Sequence, residues 1–171
     1  IIIPDSVKRI GERAFSHCYS LKERALPDNV EFIGESIFDT CFARTKITFG
    51  NGITSIPSNC LKDCDALTSI ALGNNVTEIG SFAFYRAYNV KTRNLPATLS
   101  SIGEGSFALT DRTLTIPDDN ESFVFESGCL RGKDEKNLYF GNTKAVINDT
   151  VNHILPYAFY GNTVLENLNL P

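Results

Sequence analysis

The chain has 171 residues, enough for one domain with a sizeable core. Hydrophobic residues make up 42% and charged residues 21%, the balance of an ordinary globular protein. A net charge of −4 counts against nucleic acid as a partner, and no apolar run reaches the roughly 18 residues of a membrane span.

From the N-terminus, residues 5–15 read DSVKRIGERAF, and residues 149–159 read DTVNHILPYAF. The shared pattern, D-[ST]-V-x-x-I-x-x-x-A-F, returns in weaker form between them. Pro4, Pro27, Gly50, Gly73 and Pro96 are spaced by 23 residues. Three residues after each anchor comes Val7, Val30, Ile53, Val76 or Leu99. Six after comes Ile10, Ile33, Ile56, Ile79 or Ile102, and eleven after comes Phe15, Phe38, Leu61, Phe84 or Phe107. Columns that stay apolar in phase over five units define an internal repeat.

Each unit predicts three elements in order. In residues 67–72, LTSIAL, apolar Ile70 and Leu72 alternate with Ala71, the period of a strand. Gly73 with Asn74 then marks a turn. Residues 76–80, VTEIG, predict a second short extended piece, and residues 81–87, SFAFYRA, predict one to two turns of helix or 3-10 helix. Such a unit cannot bury its own apolar stripe, so neighbouring units must stack. Successive strands are then expected in parallel, about 4.8 Å apart.

Beyond residue 108 the phase drifts. Pro96 to Pro117 is 21 residues, FESGCL (125–130) matches IPSNCL (56–61), and extra residues lie between Phe140 and Val151. The expectation is a single solenoid over residues 1–171 with about seven coils, irregular over 108–150. KAVI (144–147) has the composition for a short extra hairpin. Both termini fall at the same point within a repeat, which predicts a fragment of a longer protein.

The pattern L-x-x-[IL]-x-[IL]-P-x-x-[VIL]-x-x-I-G-x-x-A-F-x-x-C resembles the BspA-like leucine-rich repeats, a 23-residue type. Residues 3–21, IPDSVKRIGERAFSHCYSL, carry it most fully, and residues 72–90 depart chiefly at Ala87, where Cys is usual. The resemblance implies an α/β fold: a right-handed leucine-rich-repeat solenoid with a concave parallel sheet, short second strands and short helical or 3-10 turns. It also implies an extracellular or cell-surface location, and a protein partner such as host extracellular matrix.

Several residue types invite a chemical role. Cys18, Cys41 and Cys64 form one column, and Cys60 and Cys129 fall in the Ala column of Ala14, Ala83 and Ala158. Five cysteines leave at least one unpaired within the chain. Adjacent column members come close enough for a bridge, but their side chains point the same way, which favours buried thiols. Cys60 and Cys64 alone, without a second pair or a nearby His, make no metal site. His17 and His153 lie about six coils apart and cannot share a catalytic centre. No nucleophile elbow, zincin helix or phosphate loop occurs, so neither an enzyme nor a cofactor is expected. RGKDEK (131–136) lacks the Arg-Gly-Asp order, and Asn75, Asn120 and Asn148 head N-x-[ST] triplets. Arg24, Arg44 and Arg93 fall in apolar columns, where a buried unpaired guanidinium is costly: either the stem packs and the head reaches water, or the strand bulges locally, or a carboxylate pairs inside.

The strand alternation predicts the outward residues of the inner sheet. These are Lys22, Glu23, Lys46, Ser69, Lys91, Thr92, Asn94, Thr115 and Tyr139, the candidate binding face, with Asn169 on the last strand. Flat polar strand faces on repeat proteins suit protein contacts. The leading expectation is a non-catalytic extracellular module for protein recognition or adhesion, and the alternative is a spacer displaying another domain. Exposed Ile1, Ile2 and Ile3 at one end, and Leu168 and Leu170 at the other, add an expectation of end-to-end self-association.

Overall fold

The computed structural model describes residues 2–43, 45–90, 93–110, 114–133, 136–163 and 165–166, with the side chains of Glu23, Arg24 and Arg93 left aside. The chain winds in coils, each contributing one short strand to each of two parallel sheets. In the first sheet, β2 (Glu23–Ala25), β4 (Lys46–Thr48) and β6 (Ser69–Ala71) pair at a constant offset of 23 residues, Lys46 opposite both Glu23 and Ser69. Next to β6 lies β8 (Arg93–Asn94), which pairs with β10 (Leu114–Thr115). On the second side, the second sheet, β1 (Arg9–Ile10) pairs with β3 (Phe32–Ile33), and β5 (Ser55–Ile56), β7 (Glu78–Ile79) and β9 (Ser101–Ile102) pair in turn, with the ladder interrupted between β3 and β5.

The third side of each coil was expected to be helical. Among the described residues no helix forms, and the segment is a run of tight turns instead. Two residues four apart take positive φ in successive coils: Arg13 and His17, Ser36 and Thr40, Asn59 and Asp63, Phe82 and Arg86. A left-handed residue every fourth position stops an α-helix from propagating and costs about 1–2 kcal/mol for an L-residue. The hydrogen bonds explain the choice. Alternate amides, such as Arg13, Phe15 and His17, donate to Glu35, Ile37 and Asp39 of the next coil. The amides between them, Ala14, Ser16 and Cys18, close local turns onto Gly11, Arg13 and Phe15. A helix would consume every amide within its own coil and leave the stack without this third ladder.

The apolar columns meet inside. Val30, Ile53 and Val76 are fully buried, as are Ile56, Ile79 and Leu61. Phe15 stacks on Phe38 at 5.5 Å, and Phe84 on Phe107 at the same distance, with aliphatic Leu61 in the column between the pairs. All five cysteines are free thiols. Cys41 and Cys64 donate to the carbonyls of Phe15 and Phe38, each in the preceding coil, so the column aligns thiols along the stack rather than facing them together.

The coil after residue 116 departs from the expected repeat. It begins normally, with Asn120 N donating to Pro117 O as Val7 does to Pro4. Then β11 (Phe123–Glu126), β12 (Cys129–Gly132) and β13 (Asn137–Gly141) form an antiparallel meander, and β14 (His153–Ile154) rejoins β13 in parallel. Ser127 (φ 48) and Gly128 (φ 76) form the two-residue hairpin turn, both left-handed as a type I′ turn requires. FESGCL is therefore a hairpin rather than a match to the turn of IPSNCL, and Cys129 lies on β12, buried in a cluster with Leu138, Ile147 and Ala158. KAVI is not the hairpin; the extra strand pairing falls some fifteen residues earlier.

Because each coil touches only its neighbours, a cavity in one coil weakens the whole stack locally. Ile79→Ala, at a fully buried position between two coils, is expected to cost about 2–5 kcal/mol in urea unfolding. The exposed neighbour change Thr77→Ala, which removes only a solvent-exposed hydroxyl bond to Thr54 O, is expected to cost no more than about 1 kcal/mol.

Candidate functional site

The first sheet turns two outward columns to solvent. One holds Lys46 and Ser69, and the other Ala25, Thr48, Ala71, Asn94 and Thr115. Lys22, Lys46, Ser69, Asn94 and Thr115 are exposed, as their alternation predicts. Lys91 and Thr92 lie outside the described residues, as do Arg44, Ile1, Leu168, Asn169 and Leu170, and the same holds for the side chains of Glu23, Arg24 and Arg93. Ile2 is 89% exposed.

Tyr139 belongs elsewhere. It sits on β13, which pairs with β14 in the Ile10 column, so the meander moves it off the first sheet. Its ring meets Phe123 edge-on at 5.3 Å and packs against the core. The sequence could not place it, because the register after Pro117 depends on where the hairpin folds back.

Hydroxyl and amide side chains near this face are largely spent on the stack. Thr45 and Thr68 donate to Lys22 O and Thr45 O one coil earlier. At the rim, Asn51 N donates to Asp28 Oδ1, and Asn74 N to Asn51 Oδ1, which makes an Asx ladder across coils. Beyond it opens a groove of about 530 Å³ lined by Ala71, Leu72, Asn74, Asn94, Pro96, Pro117 and Asp119 among others. Small and proline side chains leave the space, and Asn94 and Asp119 supply polar groups to it. Among the described candidate binding residues Asn94 reaches this groove, next to Ala71 on β6. Asn74, Pro96, Pro117 and Asp119 come from the turns, which a search for outward strand positions passes over.

Asn120 is fully buried and occupies the column of Val30 and Val76. Its Nδ2 donates to the carbonyls of Pro96, Ala97 and Leu99, and its Oδ1 accepts from the amides of Ser122 and Phe123. Every polar atom is satisfied, so this Asn ties the irregular coil to its predecessor. Its N-x-[ST] triplet is closed in the folded chain, whereas Asn75 and Asn148 are exposed.

Among the described residues no three His, Cys, Asp or Glu side chains assemble in a way that could hold a metal. Cys129 donates to Val146 O, and burial pushes its thiol pKa up. Burial likewise raises Tyr85, helped by its hydroxyl contact with Tyr160.

The BspA type leucine-rich repeat region matches residues 1–113, in six copies. The chain belongs to this family. Solved leucine-rich repeat proteins share the fold. One from Bacteroides ovatus is 27% identical over 70% of this chain and 31% of its own, with a TM-score of 0.62. One from Eubacterium ventriosum is 21% identical over 88% of this chain and 48% of its own, at 0.68. A leucine-rich cell surface protein from Faecalibacterium prausnitzii is 20% identical over 91% and 56%, at 0.53. The chain thus spans about a third to just over half of those proteins' lengths. Among curated proteins none matches it. The family match ends at residue 113, before the coil that holds the meander. No described helix is long and apolar enough to cross a membrane.

The raised Cys129 pKa carries a sign. The folded chain holds the thiol proton more tightly than the unfolded chain does. The stability from this site is therefore fully present below the ordinary thiol pKa of 9.0 and is lost as pH rises through the raised folded value. Cys129→Ser is expected to flatten the alkaline fall in urea midpoint, read between pH 8 and pH 10.5. Thiol titration of the urea-unfolded chain should count five reactive groups.

Proposed function

We propose that the BspA-type chain is a non-catalytic, surface-exposed recognition module that binds protein through its first sheet, with host extracellular matrix as the partner class. The observation that carries this is the exposed polar residues Lys46 and Ser69 on one outward column and Asn94 and Thr115 on the next, leading into the rim groove at Asn94 and Asp119. Flat strands leave a wide area for another protein surface, and rigid stacking keeps that area ordered before contact. The cell-surface naming of the Faecalibacterium protein fits an outside location.

Binding to solubilised matrix and serum proteins, read by capture on the immobilised chain, tests the proposal. The variant pair Ser69→Arg and Asn94→Arg places bulk and charge on the face and should weaken capture at least tenfold, roughly 1.4 kcal/mol. Ser101→Arg on β9 of the second sheet serves as the control. Capture no greater than that of a heat-unfolded control would favour the spacer role instead.

A further inference from the structure

The second sheet carries a separate groove of about 350 Å³, lined by Glu31, Phe32, Glu35, Ser55 and Glu78, with Pro57 and Ser58 at its base. Its outward row, one residue per coil, is Arg9, Phe32, Ser55, Glu78 and Ser101. Phe32 is 42% exposed, which is unusual for a phenylalanine on a short strand. One side of its ring is filled. The guanidinium carbon of Arg9 sits 4.0 Å from the ring centroid, and Arg9 is not part of the groove wall. The groove lies on the other side, above Ser55.

Ser55 is short, so it leaves a slot between Phe32 and Glu78. No strand pairing joins β3 to β5, so the slot opens where the ladder is interrupted. A guanidinium stacked on the free face of the ring would sit in the groove that the Glu78 and Glu35 carboxylates also line. The carboxylates are not equally committed. Glu31 pairs with Lys8 at 3.3 Å. Glu78 accepts from Ser55 Oγ, and among the described residues neither it nor Glu35 pairs with a cation. The described residues offer no metal-holding cluster there, so the charge is not explained by a bound divalent ion.

We propose that this groove takes an arginine side chain of a partner polypeptide, which stacks on the free face of Phe32 and pairs with Glu78 and Glu35. Arg9 on the opposite face is the template within the chain for that stack. The row then reads guanidinium, ring, guanidinium, carboxylate. The net charge of −4 draws basic segments toward the chain, and the ring selects arginine over lysine. The site lies on the opposite sheet from the recognition face proposed above and stands or falls separately from it.

The test uses a short Gly-Ser peptide with two arginines, read by fluorescence polarisation at two salt concentrations. Identical peptides with lysine or with neutral citrulline replace the arginines. Arginine should bind tightest, lysine more weakly, and citrulline not measurably. Phe32→Leu should weaken the arginine peptide about two- to fivefold, and Glu78→Gln by a similar factor. Glu104→Gln, which removes the same charge outside the groove, should leave it unchanged. Both Phe32 and Glu78 face solvent, and an unchanged circular dichroism spectrum verifies folding; Glu35→Gln repeats the measurement without touching the ring. Equal binding of citrulline, or equal weakening by Glu104→Gln, would overturn the proposal. So would sedimentation of a dimer that excludes the peptide, since that would give the groove to a second copy.

Discussion

Backbone hydrogen bonding between coils at a fixed offset is the constraint on which this structure depends. Each coil lends amides to its neighbour along three lines: the first sheet, the second sheet and the turn side. A single coil could satisfy few of these groups alone, and an unpaired buried amide is costly. The offset of 23 must therefore hold on all three sides together. That is why the apolar columns keep phase and why the third side gives up a helix for turns.

The same constraint governs the side chains. Once the backbone repeats, equivalent residues stack directly on their counterparts. Stacking makes Phe15 meet Phe38, and it aligns Cys41 and Cys64 so that each thiol finds a carbonyl one coil back. It also builds the Asx ladder of Asp28, Asn51 and Asn74 at the rim. Where phase is lost, one well-placed polar residue replaces an apolar one. Asn120 satisfies five backbone groups and so makes the entry to the meander tolerable. The meander shortens the turn side of its coil. Leu109 then donates to Tyr160, and Gly105 lets the Phe82 ring pass over it to reach Tyr157 at 4.9 Å. A side chain at residue 105 would meet that ring at 2.5 Å.

Two solvent faces follow from one architecture. The first sheet presents short polar groups and a rim groove, and the second presents Phe32 among carboxylates. Neither carries a catalytic constellation among the described residues. Their rows are rigid because the hydrogen-bonded stack fixes each strand. Loops that fold on contact would first have to be ordered.

The sequence by itself determined the repeat, the core columns and the side of each strand that faces water. Ile10, Ile33, Ile56, Ile79 and Ile102 report burial directly, because an apolar residue held every 23 positions has no use other than stacking. Lys46, Ser69 and Asn94 followed from strand alternation alone. Three features belonged to the tertiary structure. The turns in place of helices rest on Arg13, Ser36 and Phe82 at positive φ, residues whose identity does not announce that conformation. The meander moved Tyr139 off the first sheet and put Cys129 on a strand, because antiparallel pairing at Ser127-Gly128 competes with continued winding. The two grooves join residues from three coils or more, and no spacing within one repeat records which neighbours are small. Local pattern decides which face of a residue is buried, whereas only stacking decides what it meets across the coil.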